Sequence, residues 1–266
     1  MKQNRFSPIG ISVLFFLVAS TILAQGSSKA DEKAEAIVAR AVQSLGGDRY
    51  LKASSQYGRG KYSVIRDNAV ISFQTFSDVI VFPDKERTEF KSSGVKTVQT
   101  NVANTGWVFD GDKELIKVQD EAQIGSFKRG IRTSLDYLLR GQWRKDATLF
   151  YVGKRPASLG KRNDVVRLTY TDDGSSVEFE FSDDGLPAKA VYKRMSADNE
   201  EVTEEDRYAQ FIDVDGVKAP FIIDHFAKGA QSSRINYEAI EFNKTIPDSV
   251  FAKPSNVKDL KKDLKL

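Results

Sequence analysis

The strongest constraint on the fold of this chain is a pattern of alternating apolar and polar residues that begins near residue 60. Val177-Glu-Phe-Glu-Phe181 is a clear example. A period of two places successive side chains on opposite faces, as in a β-strand with one buried face. The breaks between such runs carry the turn sequences Asp110-Gly111, Asp172-Asp173-Gly174, Asp183-Asp184-Gly185 and Asp215-Gly216. Asp-Gly favours the tight turns that join antiparallel strands, so the sequence predicts a mainly antiparallel β protein.

The alternating pattern divides into thirteen predicted strands. They are Lys61–Arg66, Val70–Phe82, Glu86–Lys91, Lys96–Val102, Thr105–Phe109, Glu114–Val118, Thr148–Lys154, Asp164–Tyr170, Ser176–Ser182, Ala188–Ser196, Glu204–Asp213, Phe221–Ala227 and Ser233–Phe242. The chain has 266 residues, and antiparallel sandwiches or barrels of that size commonly form one domain. The pattern contains no internal repeat and no strand–helix–strand rhythm. It predicts a sandwich or an open barrel.

Two segments interrupt the strand pattern with helical spacing. The first predicted helix covers residues 34–45 and ends at Gly46-Gly47, because glycine adopts the left-handed C-terminal cap without steric cost. Its apolar stripe consists of Ala34, Ile37, Val38, Ala41, Val42 and Leu45. The second, Gly125–Trp143, is a predicted amphipathic helix inserted between two strands. Its pattern leaves two roles open: closing one end of a barrel, or forming a lid over a ligand cavity.

The N terminus has the three parts of a secretory signal peptide. Lys2 and Arg5 precede an apolar run over residues 9–19, and Ala24 is a small residue suited to cleavage. The alternative is a membrane anchor, but the run is shorter than the ~20 apolar residues that a bilayer span prefers. We therefore predict an exported, soluble protein with no stable transmembrane anchor after cleavage.

These patterns set the predicted domain boundaries. The signal peptide covers residues 1–24, and a flexible leader follows over residues 25–33. One domain covers residues 34–257. Residues 258–266 alternate Lys with Asp and Leu, which predicts a solvated C-terminal tail.

The side-chain inventory argues against several kinds of chemistry. The chain has no cysteine, which excludes disulfides, thiol nucleophiles and Cys-ligated metals. Its one histidine, His225, has no second histidine with which to form a zinc site, and strand alternation places Asp224 on the opposite face. The 40 basic and 37 acidic residues are spread evenly, without a basic patch for nucleic acid. We predict no enzymatic activity, no cofactor, no metal and no nucleic-acid partner.

One predicted strand is apolar on both faces. In Val70–Phe82 the large side chains of one parity are Phe73, Val79 and Val81, and those of the other parity are Phe76, Ile80 and Phe82. Trp107-Val-Phe109 repeats the feature. A strand that is apolar on both faces needs cover on both. The cover is either the N-terminal helix alone or a helix together with a ligand.

The order of these segments resembles that of the LolA/LolB-like periplasmic carriers of outer-membrane lipoproteins. The likeness covers roughly residues 31–257 and begins with the opening helix, which ends in Leu-Gly-Gly. It rests on the following motifs: Phe82-Pro-Asp-Lys-Glu-Arg87, Thr105-Gly-Trp-Val-Phe-Asp-Gly111, Ser134-Leu-Asp-Tyr-Leu-Leu139, Phe179-Glu-Phe-Ser-Asp-Asp-Gly-Leu-Pro187, and the ending from Tyr237 to Pro254. The closest resemblance is to a divergent, exported branch of that family.

The resemblance implies an α+β fold: an incomplete, strongly curved antiparallel β-barrel covered by the N-terminal helix and a lid helix. It also implies a non-catalytic periplasmic protein that holds a lipid or lipoprotein acyl chain. An envelope protein is a candidate partner. The implied cavity and lid residues are Phe73, Phe76, Ile80, Phe82, Trp107, Phe109, Leu135, Leu138 and Leu139. Two alternatives stay open: an envelope interaction module or sensor with a filled cavity, and a hydrolase that uses serine or carboxylate chemistry.

Overall fold

The computed structural model of the protein describes residues 29–196, 198–262, 264 and 266. The predicted signal peptide, residues 1–24, lies outside the described residues. The helices are α1 (Lys29–Ser44), α2 (Asp48–Lys52), α3 (Glu121–Thr133) and α4 (Leu135–Leu139). The strands are β1 (Ser55–Arg66), β2 (Ala69–Val81), β3 (Lys85–Ser92), β4 (Val95–Val102), β5 (Thr105–Asp110), β6 (Leu115–Val118), β7 (Ala147–Pro156), β8 (Arg162–Tyr170), β9 (Ser176–Phe181), β10 (Pro187–Met195), β11 (Glu201–Val214), β12 (Val217–Ala227) and β13 (Ala230–Phe242).

The thirteen strands form one antiparallel sheet in the order β6-β5-β4-β3-β2-β1-β13-β12-β11-β10-β9-β8-β7. All consecutive strands pair except β6 and β7, and the first and last strands also pair, with Gln56 of β1 opposite Phe242 of β13. The two edge strands, β6 and β7, do not pair, so the sheet is not closed into a barrel. The chain crosses between these two edges through α3 and α4. The predicted fold class, an incomplete antiparallel barrel with covering helices, is confirmed.

The N-terminal helix follows its apolar stripe but begins earlier than predicted. All six stripe residues are buried against β7, β8 and their neighbours. The helix starts at Lys29, so residues 29–33 of the predicted flexible leader are helical, which corrects that boundary. At its C-terminal end, Gly46 has φ +123°, and a Cβ there would lie 2.3 Å from the carbonyl oxygen of Gly216. Only glycine allows this close approach between the helix end and the β11–β12 turn.

The predicted second helix, Gly125–Trp143, is two helices. Ser134 separates them, with extended dihedral angles of φ −72° and ψ 150°. It ends α3, and its hydroxyl accepts a hydrogen bond from the backbone N–H of Tyr137 in α4 at 3.2 Å. A short 3₁₀ helix, Gln142–Lys145, then leads into β7.

The sheet buries apolar side chains on both faces. We call the face that carries α1 and α4 the inner face; it holds the largest core, which includes Phe179, Phe181, Leu168 and Trp143. The outer face of β2–β5 is covered by the C-terminal segment after β13, where Val250, Phe251 and Leu260 pack against the sheet. None of the described helices is both long and apolar enough to cross a membrane.

The C-terminal residues contradict the predicted solvated tail. Leu260 is buried among Val98, Trp107 and Phe109. Lys96 donates a hydrogen bond from Nζ to the carbonyl oxygen of Lys262 at 2.6 Å. The alternation of Lys with Leu in this segment therefore marks a surface strap with one apolar side.

Candidate ligand-binding cavity

A cavity of about 360 Å³ lies between α3, α4 and the inner face of β2 and β11–β13. Its apolar wall includes Leu45, Ile80, Phe82, Leu135, Ile223 and Ile240. Along β12 the lining runs from Lys218 to His225, which corresponds to a length of up to ~23 Å at ~3.3 Å per residue. The volume falls in the range of ~300–1,000 Å³ typical of small-molecule sites.

A second cavity of about 520 Å³ adjoins the first on the β2–β4 side of α3. The two share Ile80, Phe82, Gly130, Ser134 and Asp136 as lining residues. Its remaining wall is more polar and includes Glu86, Gln99 and Gln123. Helix α3 therefore borders two adjoining cavities, a more apolar one on one side and a more polar one on the other.

The two helices of this region differ in their attachment. No residue of α3 is buried, whereas Tyr137, Leu138 and Leu139 of α4 are all buried. Helix α3 is held at its start by reciprocal hydrogen bonds between Asp120 and Gln123, of 2.8 and 3.0 Å. Its main tertiary contacts are in its last turn, where Ile131 packs against the inner core and Arg132 pairs with Asp172 at 2.7 Å and with Asp173 at 3.2 Å. An exposed helix attached mainly at one end is typical of mobile covers. Helix α3 has the geometry of a lid, and α4 anchors it.

Arg140 connects helix α4 to the rest of the cavity wall. Its guanidinium donates to Asp136 Oδ1 at 2.8 Å and to the carbonyl oxygen of Ala53 at 2.8 Å. It also lies 3.7 Å from the centre of the Phe82 ring, a cation–π contact. Tyr50 donates its hydroxyl to the same Asp136 oxygen at 2.8 Å. These contacts fix Phe82 and Tyr50 as rigid parts of the wall.

A buried carboxyl lies on the inner face below the cavity. Asp78 accepts a hydrogen bond from the Tyr237 hydroxyl at 2.9 Å, and its other oxygen has no partner among the described residues. Burial raises the pKa of Asp78 to about 7, and the nearby charge of Glu86 adds to the rise. Gly58 makes room for this pair, since a Cβ there would lie 2.3 Å from Asp78 Oδ1. Asp78 is therefore a carboxyl that is half protonated near neutral pH.

His225 lines the apolar cavity and is oriented by an acid on the neighbouring strand. Its Nδ1 lies 2.5 Å from Oδ1 of Asp206, its cross-strand partner. Burial alone would lower the pKa of His225, but the hydrogen bond and charge of Asp206, with Glu204 and Asp224, raise it above the usual value.

Ser233 lies opposite His225 on β13, so three adjacent strands carry Asp206, His225 and Ser233 in one row. This composition matches a serine-hydrolase triad, which uses a neutral imidazole to take the serine proton. The described side chains show no hydrogen bond between Ser233 and His225, and the neighbouring carboxylates raise the pKa of His225 against the effect of burial. The row therefore has the residue types of a triad but, among the described side chains, lacks the serine–histidine hydrogen bond that a triad uses.

Comparison with known proteins identifies the fold. No protein-family model matches the sequence, and no curated protein matches it. Among solved structures, a LolA superfamily protein from Nitrosomonas europaea has a TM-score of 0.57 at 14% identity, covering 83% of this chain and 97% of that chain. The fold is that of the LolA superfamily.

Two other solved structures share this LolA-like fold. A DUF1329 family protein from Desulfovibrio piger has a TM-score of 0.58 at 14% identity, covering 82% of this chain and 97% of that one. A domain from Vibrio parahaemolyticus, described as an outer membrane lipoprotein-sorting protein domain, has a TM-score of 0.56 at 10% identity. The alignment covers 87% of this chain and all (100%) of that one.

Within the LolA-like fold, four of the nine predicted site residues lie at or beside the cavity. Ile80, Phe82 and Leu135 line it. Phe76 packs edge-to-face on Tyr237, a cavity-lining residue, with ring centres 5.3 Å apart. Their role in binding a ligand stays a prediction.

The other five predicted site residues lie elsewhere. Trp107 and Phe109 are on the outer face under the C-terminal strap, where Trp107 donates from Nε1 to the carbonyl oxygen of Phe251 at 2.9 Å. Leu138 and Leu139 are buried in the core beneath α1. Phe73 is 65% exposed on β2, beyond the last residue of that strand that pairs with β3. Strand parity separates Phe76 and Ile80 from Phe73, but the sequence does not say which parity faces inward.

Sequence reasoning missed most of the wall that β10–β13 and α2 contribute. The missed lining residues include Tyr50, Tyr192, Tyr208, Ile223, Tyr237 and Ile240. Most of β11 and β13 alternates as one-sided strands do, whereas Phe221-Ile222-Ile223 of β12 carried the same two-sided apolar signal as β2. The register of His225 with Asp206 follows from the Asp215-Gly216 turn, since the two residues are equidistant from it and a two-residue turn fixes the pairing of its strands.

Proposed function

We propose that this protein is a non-catalytic binding or carrier protein for a lipid or a lipoprotein acyl chain, held in the cavity beneath α3. The observation that carries the proposal is the cavity itself. It has an apolar wall, and its length of up to ~23 Å along β12 exceeds the ~15 Å of one bilayer leaflet's hydrocarbon. An acyl chain gains about 0.8 kcal/mol for each methylene removed from water, so such a wall would bind it strongly.

The lid geometry supports the same role. A carrier must admit and release a ligand that is insoluble in water, which needs a cover that moves without unfolding the core. Helix α3 has no buried residue, while α4 next to it is part of the core. The solved structures with the same fold include one described as a lipoprotein-sorting domain, which is consistent with this proposal for the present chain.

The proposed location is the periplasm. The first 24 residues have the pattern of a cleaved signal peptide. The absence of cysteine from the whole sequence means that the fold needs no disulfide chemistry outside the cytoplasm.

A second proposal, an envelope interaction module or sensor, is favoured by one observation. The inner face of β7–β10 is filled by α1, α4 and Trp143, so part of the half-barrel is occupied by the protein's own side chains. A module of this kind would bind a protein partner and no acyl chain.

The test is displacement of a fluorescent fatty acid, together with native mass spectrometry of the purified protein. We expect bound lipid in the spectrum and displacement by unlabelled acyl chains. Ile223→Trp, which fills the cavity from β12, should abolish both signals. The control is Leu159→Trp at a residue that is 97% exposed in the β7–β8 loop. A wild-type protein that binds no acyl chain in either assay would contradict the carrier proposal and favour the interaction module.

A further inference from the structure

We infer that the free edge of β7 is a docking site for an extended, acidic segment of a partner protein, which adds a strand to the open sheet. β7 is the last strand of the sheet, and among the described strands it pairs with β8 alone. With ten residues it is the longer of the two edge strands, since β6 has four. This inference concerns a protein partner and goes beyond the proposed binding of an acyl chain.

The first step is the direction of the backbone groups along β7. The amide of Thr171 donates to the carbonyl oxygen of Asp146 at 3.0 Å, so these residues form a hydrogen-bonded pair between the strands. Such pairs alternate along an antiparallel ladder. Ala147, Leu149 and Tyr151 therefore direct their N–H and C=O groups away from β8, toward the side on which no described strand lies. A row of this kind is a template for a further strand.

The second step is the length of the usable edge. A bulge between Tyr151 and Gly153 shifts the register with β8, and Pro156 has no backbone donor at the end of the strand. Both features limit regular pairing to residues 147–151. A partner segment therefore adds a short strand, and its flanking residues lie beside the two ends of β7.

The third step is the side chain that the added strand covers. Ala147 and Leu149 face the inner core and are buried. Phe150 has the opposite parity, so it lies on the outer face of the sheet, where its side chain is 49% exposed. An apolar residue of the added strand at the neighbouring position would cover this ring.

The fourth step is the charge of the edge, which selects the partner. Residues 144–162 contain one acidic residue, Asp146, and six basic ones: Arg144, Lys145, Lys154, Arg155, Lys161 and Arg162. Three of the six, Arg144, Lys154 and Arg155, pair with acidic side chains of neighbouring elements. Lys145 at the start of β7, with Lys161 and Arg162 beside its end, is exposed like them, and none of the three makes an ion pair with a described residue. Acidic residues on both sides of the added strand would meet these cations.

The same charges argue against a second copy of this chain as the partner. If two β7 strands paired antiparallel about Leu149, Arg144 of each would lie opposite Lys154 of the other. Like charges in opposite positions destabilise a strand pair. The edge therefore favours a different, acidic chain.

The test uses a synthetic peptide with the length of β7, ten residues, in which Val alternates with Thr at the centre and Asp occupies both ends. We expect this peptide to bind the purified protein, as measured by calorimetry. One control peptide has Lys in place of Asp, and another has N-methyl groups on the amides that face β7. Each should bind about tenfold more weakly or worse, because it lacks the charge or the donors. Equal binding of the N-methylated peptide would overturn strand addition.

A pair of protein variants tests the position of the site. Lys145→Glu reverses an exposed charge at the start of β7 and should weaken binding of the acidic peptide several-fold. Lys117→Glu is the matched control, because Lys117 is exposed on β6, the opposite edge of the sheet. It should leave the affinity unchanged. Equal losses in both variants would mean that the peptide binds through overall charge, which overturns the assignment to β7.

A further readout uses the wild-type protein and needs no variant. The bound peptide should slow amide hydrogen exchange at Ala147, Leu149 and Tyr151 and leave the exchange of β6 unchanged. Light scattering should show a monomer in the absence of peptide. A dimer with the same three amides protected would assign the edge to a second copy. Binding to anionic vesicles without binding to the peptide would assign it to a lipid surface, and either result overturns the inference.

Discussion

At the scale of single residues, the cavity is defined by polar groups whose partners come from neighbouring strands. Tyr237 of β13 caps Asp78 of β2, and Asp206 of β11 orients His225 of β12. Tyr237 and Asp78 are far apart in sequence, so their contact was not predictable from spacing, whereas Asp206 and His225 are equidistant from the predicted Asp215-Gly216 turn. Ile80 and Phe82 were also predictable, because a strand that is apolar on both faces is a local anomaly.

The buried Asp78 predicts a pH-dependent stability. Its pKa of about 7 in the folded protein is above the ordinary 3.8, so the folded state binds more protons between these two pH values. Stability therefore falls as pH rises through this window, by up to about 4 kcal/mol, and the full loss is present above pH 7. Asp78→Asn keeps a partner for Tyr237 but cannot ionise. We expect it to be more stable than wild type at pH 8 and similar at pH 4, measured by urea unfolding.

The matched control for Asp78→Asn is Asp183→Asn in the exposed β9–β10 turn, where the carboxylate side chain is 66% exposed. It should change stability little at either pH. If the free energy of unfolding depends on pH in the same way for wild type and Asp78→Asn, ionisation of Asp78 does not destabilise the folded state.

At the scale of elements, the segment between β6 and β7 shows where helical periodicity is ambiguous. The apolar residues from Phe127 to Leu139 continue across Ser134, so the spacing predicted one helix. Ser134 is an N-cap residue by type, and it precedes Leu135 and Asp136 as N-cap residues commonly do. That local signal indicated the break, but the apolar pattern that continues across Ser134 favoured a single helix. The break makes α3 a separate unit from α4.

This separation predicts that α3 opens independently of the core. Asp120→Ala removes the N-cap of α3 and should cost about 1 kcal/mol of local stability. We expect faster hydrogen exchange in α3, faster release of bound acyl chains and an unchanged urea midpoint. Ser134→Ala, which removes the cap of α4, is the comparison and should lower the midpoint because α4 is buried. A lower midpoint for Asp120→Ala would contradict an independent lid.

At the scale of the whole molecule, the sequence predicted the strands well but not their arrangement. Alternation and Asp-Gly turns located all thirteen strands, since both signals are local. The outer-face core was not predicted. Trp107 and Phe109 were assigned to the cavity, and residues 258–266 to a solvated tail, although Leu260 packs against both aromatic residues. The packing of a terminal segment on a distant strand depends on the curvature of the completed sheet.

The position of the strap predicts a separation of stability from binding. Leu260→Ala should destabilise the protein by about 2–4 kcal/mol, because the side chain is buried in the outer-face core. Acyl-chain affinity should not change at temperatures where the variant is folded, since the cavity is on the inner face. Thermal unfolding and fatty-acid displacement on the same samples check both parts. A loss of affinity would mean that the two faces are coupled.

The pairing of β1 with β13 also bears on when the fold can be completed. Gln56 pairs with Phe242, so one edge of β1 stays unpaired until β13 has been synthesised. Contacts between such distant residues form late, because loop-closure entropy has to be overcome first. A chain synthesised from its N terminus therefore cannot complete its sheet until its last strand is available.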